Sequence, residues 1–331
     1  MKITTHDELQ QVLAGYRQAR IIQTAVKLRL FDQTRKHSPA TADQVAEHTG
    51  YSLRGVDIIL DALTAMGLLE KVDDTYENTD LVEKHLVTGC DSMMMFSIDH
   101  AEQIYRRWAN MPEAVRSGEP HGREESHVMG DQENNRIFIR AMHARGLDRG
   151  RKIAAALDLN GVTKVADVGG GAGSYLIALA EKLPGMDGTL FDLELTLNSA
   201  EEIISDHDPN LNFHLVEHDI FKEGEDFSGQ FDLILLSNII HIVGPEENTD
   251  LFKRIKKALR PDGQLVIQDF LLDETATEPA SAALFAVVML VATETGRSWR
   301  ETDVRNWLKD AGFESVQRLD AGTDSDILVA V

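Results

Sequence analysis

Between residues 9 and 30 the apolar positions recur at roughly helical spacing: Val12, Leu13, Ile21, Ile22, Ala25, Val26, Leu28 and Leu30. Phe31 and Asp32 then lead into a polar stretch. Thr41 stands where an N-cap is expected, ahead of a helix over 42–48 that Gly50 ends. Ser52 opens the next helix, on which Val56, Ile59, Leu60, Leu63 and Met66 share a face, and Gly67 stops it. Residues 68–72 and 75–79 read as short strands around Asp73-Asp74. Helix, turn, helix and β-hairpin is the order of a winged helix. A helical pattern returns over 99–155, carrying Tyr105, Trp108, Phe138, Ile139 and Met142, with a break at 116–120.

From Thr163 the rhythm changes. Strands are predicted at 164–168, 188–192, 211–217, 231–236 and 263–269, with helices at 174–183, 199–206 and 249–259. Such alternation implies a mostly parallel, doubly wound α/β sheet with helices on both faces. Ligands in such a sheet sit at the carboxyl ends of the strands. The apolar run 282–292 suits a buried helix, and strands at 313–319 and 327–331 close the chain. The expected organisation is a helical domain over 1–98, connecting helices over 99–155 and a Rossmann-like domain over 156–331.

Charge narrows the partners. Asp and Glu outnumber Lys and Arg by 55 to 33, a formal net charge of −22. Non-specific nucleic-acid affinity rests on cation–phosphate contacts, so nucleic acid and anionic membrane are excluded as main partners. The winged-helix segment sharpens this. Asp43, Glu47, Asp57, Asp61 and Glu70 face only Arg54 and Lys71 between Thr41 and Val72, a local net charge of −3. A packing or dimerisation module is expected there instead of a DNA reader. The single cysteine, Cys90, rules out an intrachain disulfide and a cysteine zinc cluster. No apolar run approaches the roughly 20 residues that span a bilayer. The polar first ten residues carry no signal segment. A cytoplasmic chain without a metal site is expected.

The candidate chemistry lies at the ends of the predicted strands. Asp167-Val168-Gly169-Gly170-Gly171-Ala172-Gly173 joins the first strand to its helix. Glycines let the backbone approach a ligand at a helix N-terminus, where free N–H groups point outward. A Walker loop would need Gly-Lys-Ser/Thr, and Gly173-Ser174-Tyr175 has no lysine. A nicotinamide site wants G-x-G-x-x-G; Gly169 and Gly171 fit, but Ser174 takes the third glycine position. The S-adenosylmethionine (SAM) pattern Asp-x-Gly-x-Gly-x-Gly is matched at every position by Asp167, Gly169, Gly171 and Gly173. Asp192, 19 residues after Gly173, ends the second strand where an acid accepts ribose hydroxyls. Leu193 follows it. Asp219 after the third strand would receive the adenine amino group, with Ile220 and Phe221 against the purine face. Ser237 and Asn238 follow the fourth strand. Any one of these acids alone reads equally well as a solvated loop end; four suitable strand ends together do not.

In this combination the sequence resembles the SAM-dependent O-methyltransferases of the plant caffeic acid and hydroxyindole type, with their bacterial relatives. The likeness runs over nearly the whole chain, through residues 25–32, 41–46 and 60–69, Tyr105 and Trp108, 167–173, and Phe191-Asp192-Leu193. The resemblance implies a winged-helix dimerisation domain over 1–98 and a homodimer. It also implies SAM as cofactor, S-adenosylhomocysteine as product and a small, aromatic acceptor. The family's catalytic histidine falls on His241, followed here by Ile242 and Val243 and not by Asp-Trp. The acid that orients it, 28 positions later, falls on Asp269, shorter than the usual glutamate. A second family glutamate aligns with Ser298.

Methyl transfer from a sulfonium is an in-line displacement, so alignment supplies most of the acceleration, roughly 7–11 kcal/mol. A base adds about 10²–10⁴-fold for a neutral hydroxyl. Histidine suits the task because its charge changes near neutrality. From the residues alone His241 reads equally as a buried or loop histidine; the family position assigns it as general base, with Asp269 holding its tautomer. Phe138, Met142 and Met289 are candidate acceptor-pocket residues, as are Met93, Met94, Met95 and Phe96, although such side chains on helices are more often core. His143 beside Met142 is a candidate substrate contact that reads more readily as a surface histidine, and His121 and His127, around Glu124-Glu125, have no recognised metal spacing. The alternatives are a carbon methyltransferase or non-methylating relative of the same fold, and a winged-helix regulator that senses SAM.

Overall fold

A computed structural model describes residues 2–90, 94–121, 132–222, 226–227 and 230–331; Met93, Glu124, Glu125 and His127 lie outside them. The chain forms two compact units, Met1–Ile104 and Tyr105–Val331.

In the first unit the periodicity over 9–30 resolves into α1 (His6–Ala14) and α2 (Tyr16–Lys27), separated at Gly15. A third helix, α3 (Leu30–Lys36), occupies the start of the polar stretch, for which no element is predicted, and Arg29 turns into it with φ 53°. Leu30, Phe31 and Thr34 give α3 a buried face that its polar remainder hides from a sequence reading. The two-residue strand β1 (Ala40–Thr41) leads into α4 (Ala42–Thr49). Thr41 caps α4 by accepting the Gln44 N–H, while the Gln44 side chain accepts the Thr41 N–H. Gly50 ends it in the left-handed region. Next, α5 (Leu53–Ala65) buries Val56, Leu60 and Leu63. The hairpin β2 (Leu69–Val72) and β3 (Thr75–Asn78) turns at Asp73, and β1 pairs with β3 to give the order β1-β3-β2. The short α6 (Asp80–His85) follows, and α7 (Met94–Trp108) runs across the division of the chain. Phe31, Leu60, Leu63 and Tyr76 anchor this unit's core.

The second unit opens with α8 (Met111–Ser117), stopped by Gly118, and the long α9 (Gln132–Ala156). Then come β4 (Lys164–Val168), α10 (Ser174–Lys182), β5 (Asp187–Asp192), α11 (Glu194–His207), β6 (His214–Glu217), β7 (Phe231–Ser237), α12 (Pro245–Ala258) and β8 (Leu259–Asp269). The chain ends with α13 (Ala280–Ala292), α14 (Glu301–Asp310), β9 (Val316–Leu319) and β10 (Asp326–Ala330). The sheet order is β6-β5-β4-β7-β8-β10-β9, parallel except at β10, which is antiparallel to both neighbours. Strand alternation splits the core in two. Ala166, Val168, Ile234, Leu236 and Ile267 pack on the α12 and α14 side, and Val165, Leu233, Leu235 and Val266 face α10 and α11.

The helix α9 rides closely on α10. A Cβ placed at Gly150 would come 3.1 Å from Ala178 Cβ, and one at Gly146 3.2 Å from Ser174 Cβ. Two helices begin earlier than the sequence suggests. For α11 the N-cap is Leu193, which offers no side-chain acceptor. For α12, Pro245 takes the first turn, a position that tolerates its missing N–H.

Candidate active site

The carboxyl ends of β4, β5, β7 and β8 converge because these strands are neighbours in one parallel register. Between β4 and α10 the glycine loop turns through positive φ at Gly169, Gly171 and Gly173, conformations that side chains rarely adopt. Gly173 in the left-handed region starts α10. Space also demands glycine. A Cβ at Gly169 would lie 2.6 Å from Ile239 Cδ1 and 2.9 Å from Ile220 Cδ1, and one at Gly170 would collide with the Asp167 carboxyl.

Asp192 closes over this loop. Its Oδ2 accepts the Gly171 N–H at 2.9 Å and its Oδ1 the Leu193 N–H at 2.8 Å. The Thr196 side chain donates as well, and the carboxylate keeps capacity for a further donor. Burial pushes the Asp192 pKa up, against the pull of these backbone donors. Asp167 lies beneath the loop, fully buried, and neither carboxyl oxygen has a partner among the described residues. Burial first, and the Asp192 charge second, push its pKa up to about 8. Ile220 is buried against the loop, whereas Asp219 is exposed and its carboxyl accepts the Phe221 N–H at 3.1 Å. At the end of β7, Ser237 Oγ is buried without a partner among the described residues. Asn238 takes φ 58°, and its amide donates at 2.8 Å to Gln268 Oε1, which also receives the Tyr175 hydroxyl at 2.6 Å.

These residues suit the expected cofactor. The loop at Gly169–Gly171 has no room for side chains, an acid with capacity for a further donor stands over it, and apolar Ile220 and Ile239 flank it. Two buried polar groups, Asp167 and Ser237, lack partners among the described residues.

Beyond Ser237, His241 is buried, and its Nδ1 lies 2.7 Å from Asp269 Oδ1. The Phe270 N–H also donates to that oxygen at 2.7 Å, while Asp269 Oδ2 is buried without a partner among the described residues. The pair spans 28 positions because β7 and β8 lie side by side, Ser237 opposite Gln268. The backbone leading to His241 is held at the Ile240 carbonyl, which accepts from Asn248 Nδ2 at 2.9 Å and Trp299 Nε1 at 2.8 Å. Ser298, although only 1% exposed, does not face the histidine; its hydroxyl donates to the Ala282 carbonyl at 2.7 Å, tying its loop to α13.

Three neighbours of His241 are not marked by any local sequence signal. Phe285 sets its ring edge-on to the imidazole, 4.8 Å between centroids, and Phe270 lies 4.7 Å from Phe285. Phe285 escapes a sequence reading because the run 282–292 is apolar throughout and shows no face, and Phe270 because its partner lies on another element. Gly296 packs on the backbone of His241 and Ile242. Met289 is buried one turn beyond Phe285 on α13. Phe138 packs beside Ile139, Ala172 and Ile203, next to the glycine loop, and Met142 is half-buried one turn along α9. His143, expected at the surface, is half-buried with Nδ1 2.9 Å from Ser174 Oγ. Burial, then the charges of His207, Arg140 and Arg151, push its pKa down to about 4.

Comparison with known proteins follows the same two units. An O-methyltransferase domain family matches residues 108–314, and an O-methyltransferase dimerisation domain matches residues 10–88. The tetracenomycin polyketide synthesis 8-O-methyl transferase of Streptomyces glaucescens is 30% identical over 319 residues, 94% of this chain and 92% of that protein. The 3-hydroxy-5-methyl-1-naphthoate 3-O-methyltransferase of Streptomyces sahachiroi is 29% identical over 93% of this chain and 90% of that protein. The solved structure of an O-methyltransferase family protein from Burkholderia thailandensis superimposes with a TM-score of 0.89 at 26% identity, covering 99% of this chain and 98% of the other.

Proposed function

The chain belongs to the O-methyltransferase family, and from that premise we propose that it methylates a hydroxyl of a small aromatic acceptor with His241 as general base. SAM is the cofactor; when bound it supplies a methyl group already activated as a sulfonium. Gly169, Gly171 and Asp192 would hold it, with Ile220 against the purine and Ser237 and Asp219 as further polar contacts.

The observation that carries the reading is the His241–Asp269 pair. A carboxylate accepts, so the shared proton sits on Nδ1 and Nε2 keeps its lone pair for the acceptor hydroxyl. Buried Asp269 thereby fixes both tautomer and ring orientation. Phe285, edge-on to the imidazole, excludes water from one side of it. Two relatives are named for O-methylation of aromatic or polyketide hydroxyls, which favours the same acceptor class here. Ser298 offers no second acid, so Asp269 alone orients the base.

The test is His241→Ala with labelled SAM and a panel of phenols. Turnover falls about 10²–10⁴-fold while SAM affinity, read by calorimetry, stays unchanged, because the base acts on the acceptor. Near-normal turnover refutes the base and favours a carbon acceptor or one already ionised.

We also propose a cytoplasmic homodimer joined through the winged helix of residues 1–98, with 99–155 as connecting helices to the catalytic domain at 156–331. The match to a dimerisation domain supports this. So does α1, which buries none of its residues and leaves Leu9, Val12 and Leu13 exposed.

A further inference from the structure

One side of α9 is spoken for. Gly146 and Gly150 press on α10, and Arg136 and Arg140 pair with Glu202 on α11. Phe138, Met142, Arg145 and Arg149, spaced by four, three and four residues, form a separate stripe along the same helix. That stripe begins beside the glycine loop, where Phe138 packs near Ala172. At its other end the Arg149 guanidinium lies over Phe270, 5.9 Å from the ring centroid. Phe270 meets Phe285, and Phe285 meets His241. Arg149 thus joins the stripe to the chain of rings that leads to His241.

The two arginines differ. Arg149 is neutralised by Asp324, whose Oδ1 it approaches at 2.7 Å and 3.0 Å. Arg145 has no hydrogen bond or ion pair among the described residues. Arg145 is exposed, yet partial desolvation and the Arg149 charge push its pKa below the usual arginine value. An incoming anion would relieve both effects, and the planar fork of arginine binds a carboxylate by two parallel hydrogen bonds.

We propose that Arg145 is a specificity-determining residue that binds a carboxylate on the acceptor, so that the substrate class is aromatic hydroxy acids. This rests on the aromatic-hydroxyl reading above. The acceptor ring lies against Phe138, Met142 and Phe285, its hydroxyl toward His241 and its carboxylate toward Arg145.

The probes are 6-hydroxy-2-naphthoate, whose hydroxyl and carboxylate stand at opposite ends of the ring system, and 2-naphthol, which lacks only the carboxylate. Binding of each to the full chain is measured by calorimetry with S-adenosylhomocysteine present, and methyl transfer from labelled SAM is scored separately. The wild type binds the hydroxy acid at least tenfold tighter than the naphthol. Arg145→Gln brings the two to parity with S-adenosylhomocysteine affinity unchanged, and Arg145→Lys keeps part of the preference. A wild type without preference, or a preference that survives in Arg145→Gln, overturns the assignment. If the naphthol is still methylated in that case, methyl transfer to aromatic hydroxyls stands and only the carboxylate anchor falls. A carboxylate preference lost in Arg145→Gln, without methyl transfer to either probe, supports the anchor and refutes the transfer reading.

Discussion

Gly296→Ala tests how tightly the base is placed. Gly296 has no positive φ, so glycine is required there for space alone. A Cβ would sit 2.6 Å from the Ile242 carbonyl oxygen and 2.6 Å from Thr293 Oγ1, and closer still to the His241 carbonyl. An ordinary contact is about 3.5 Å, so the loop carrying His241 must retreat by roughly 1 Å. The retreat is resisted, because the Ile240 carbonyl is fixed by both Asn248 and Trp299. Overpacking of this kind costs about 1–3 kcal/mol. For a unit of this size that lowers the melting temperature by several degrees, at roughly 2–4 °C per kcal/mol. A displacement near 1 Å at the base lowers turnover about 10²-fold, since alignment is the larger part of the catalysis. The glycine loop and Asp192 are formed by other strand ends, so SAM affinity stays as in the wild type. The assay is S-adenosylhomocysteine formation at saturating SAM, with calorimetry and a thermal melt alongside. Unchanged turnover together with a lowered melting temperature would refute the argument, since the base would then tolerate the shift.

Asp192→Ala removes the acceptor expected for the ribose hydroxyls and weakens SAM by tenfold or more, measured by calorimetry; unchanged affinity sinks the cofactor assignment. Asp167 has a folded pKa of about 8. Between the unfolded carboxylate range and that value the native state holds a proton the unfolded chain has released, so stability falls as pH rises through the window. The slope from this group is at most about 1.4 kcal/mol per pH unit, and Asp167→Asn removes it in thermal melts from pH 5 to 8 without cofactor. Equal slopes for variant and wild type mean that Asp167 is ionised throughout. Light scattering at micromolar concentration gives twice the 36.8 kDa chain mass; a monomer across that range contradicts the dimer.

The strand ends were legible because they combine two independent signals, the change of rhythm after Thr163 and acids or glycines at its punctuation. The pairing of His241 with Asp269 was not legible from spacing, because it depends on β7 and β8 being sheet neighbours; the family resemblance supplied it. Short elements escaped for a related reason. The polar helix α14 buries only Val304 and Leu308, and β1 exists only through its pairing with β3. Phe285 and Gly296 illustrate the limit. Each matters through what lies across the fold from it, and neither the apolar run nor a lone glycine records that partner. Arg145 escaped too, since a cation on a helix reads as solvated until its neighbours are known to be paired.

The glycines at 146 and 150 have an evolutionary consequence. With no side chain at these two positions of α9, the helix rests directly on Ser174 and Ala178, and α9 and α10 cannot slide or part without losing that contact. The helix that opens at the glycine loop and the helix that bears Phe138, Met142 and Arg145 therefore keep a constant offset, like the fixed jaw of a caliper. A descendant that takes a bulkier acceptor cannot widen that gap by hinging α9. It must trim or reverse side chains on the stripe itself or on α13, so selectivity in this lineage should drift by point substitution at those few positions while the backbone stays still.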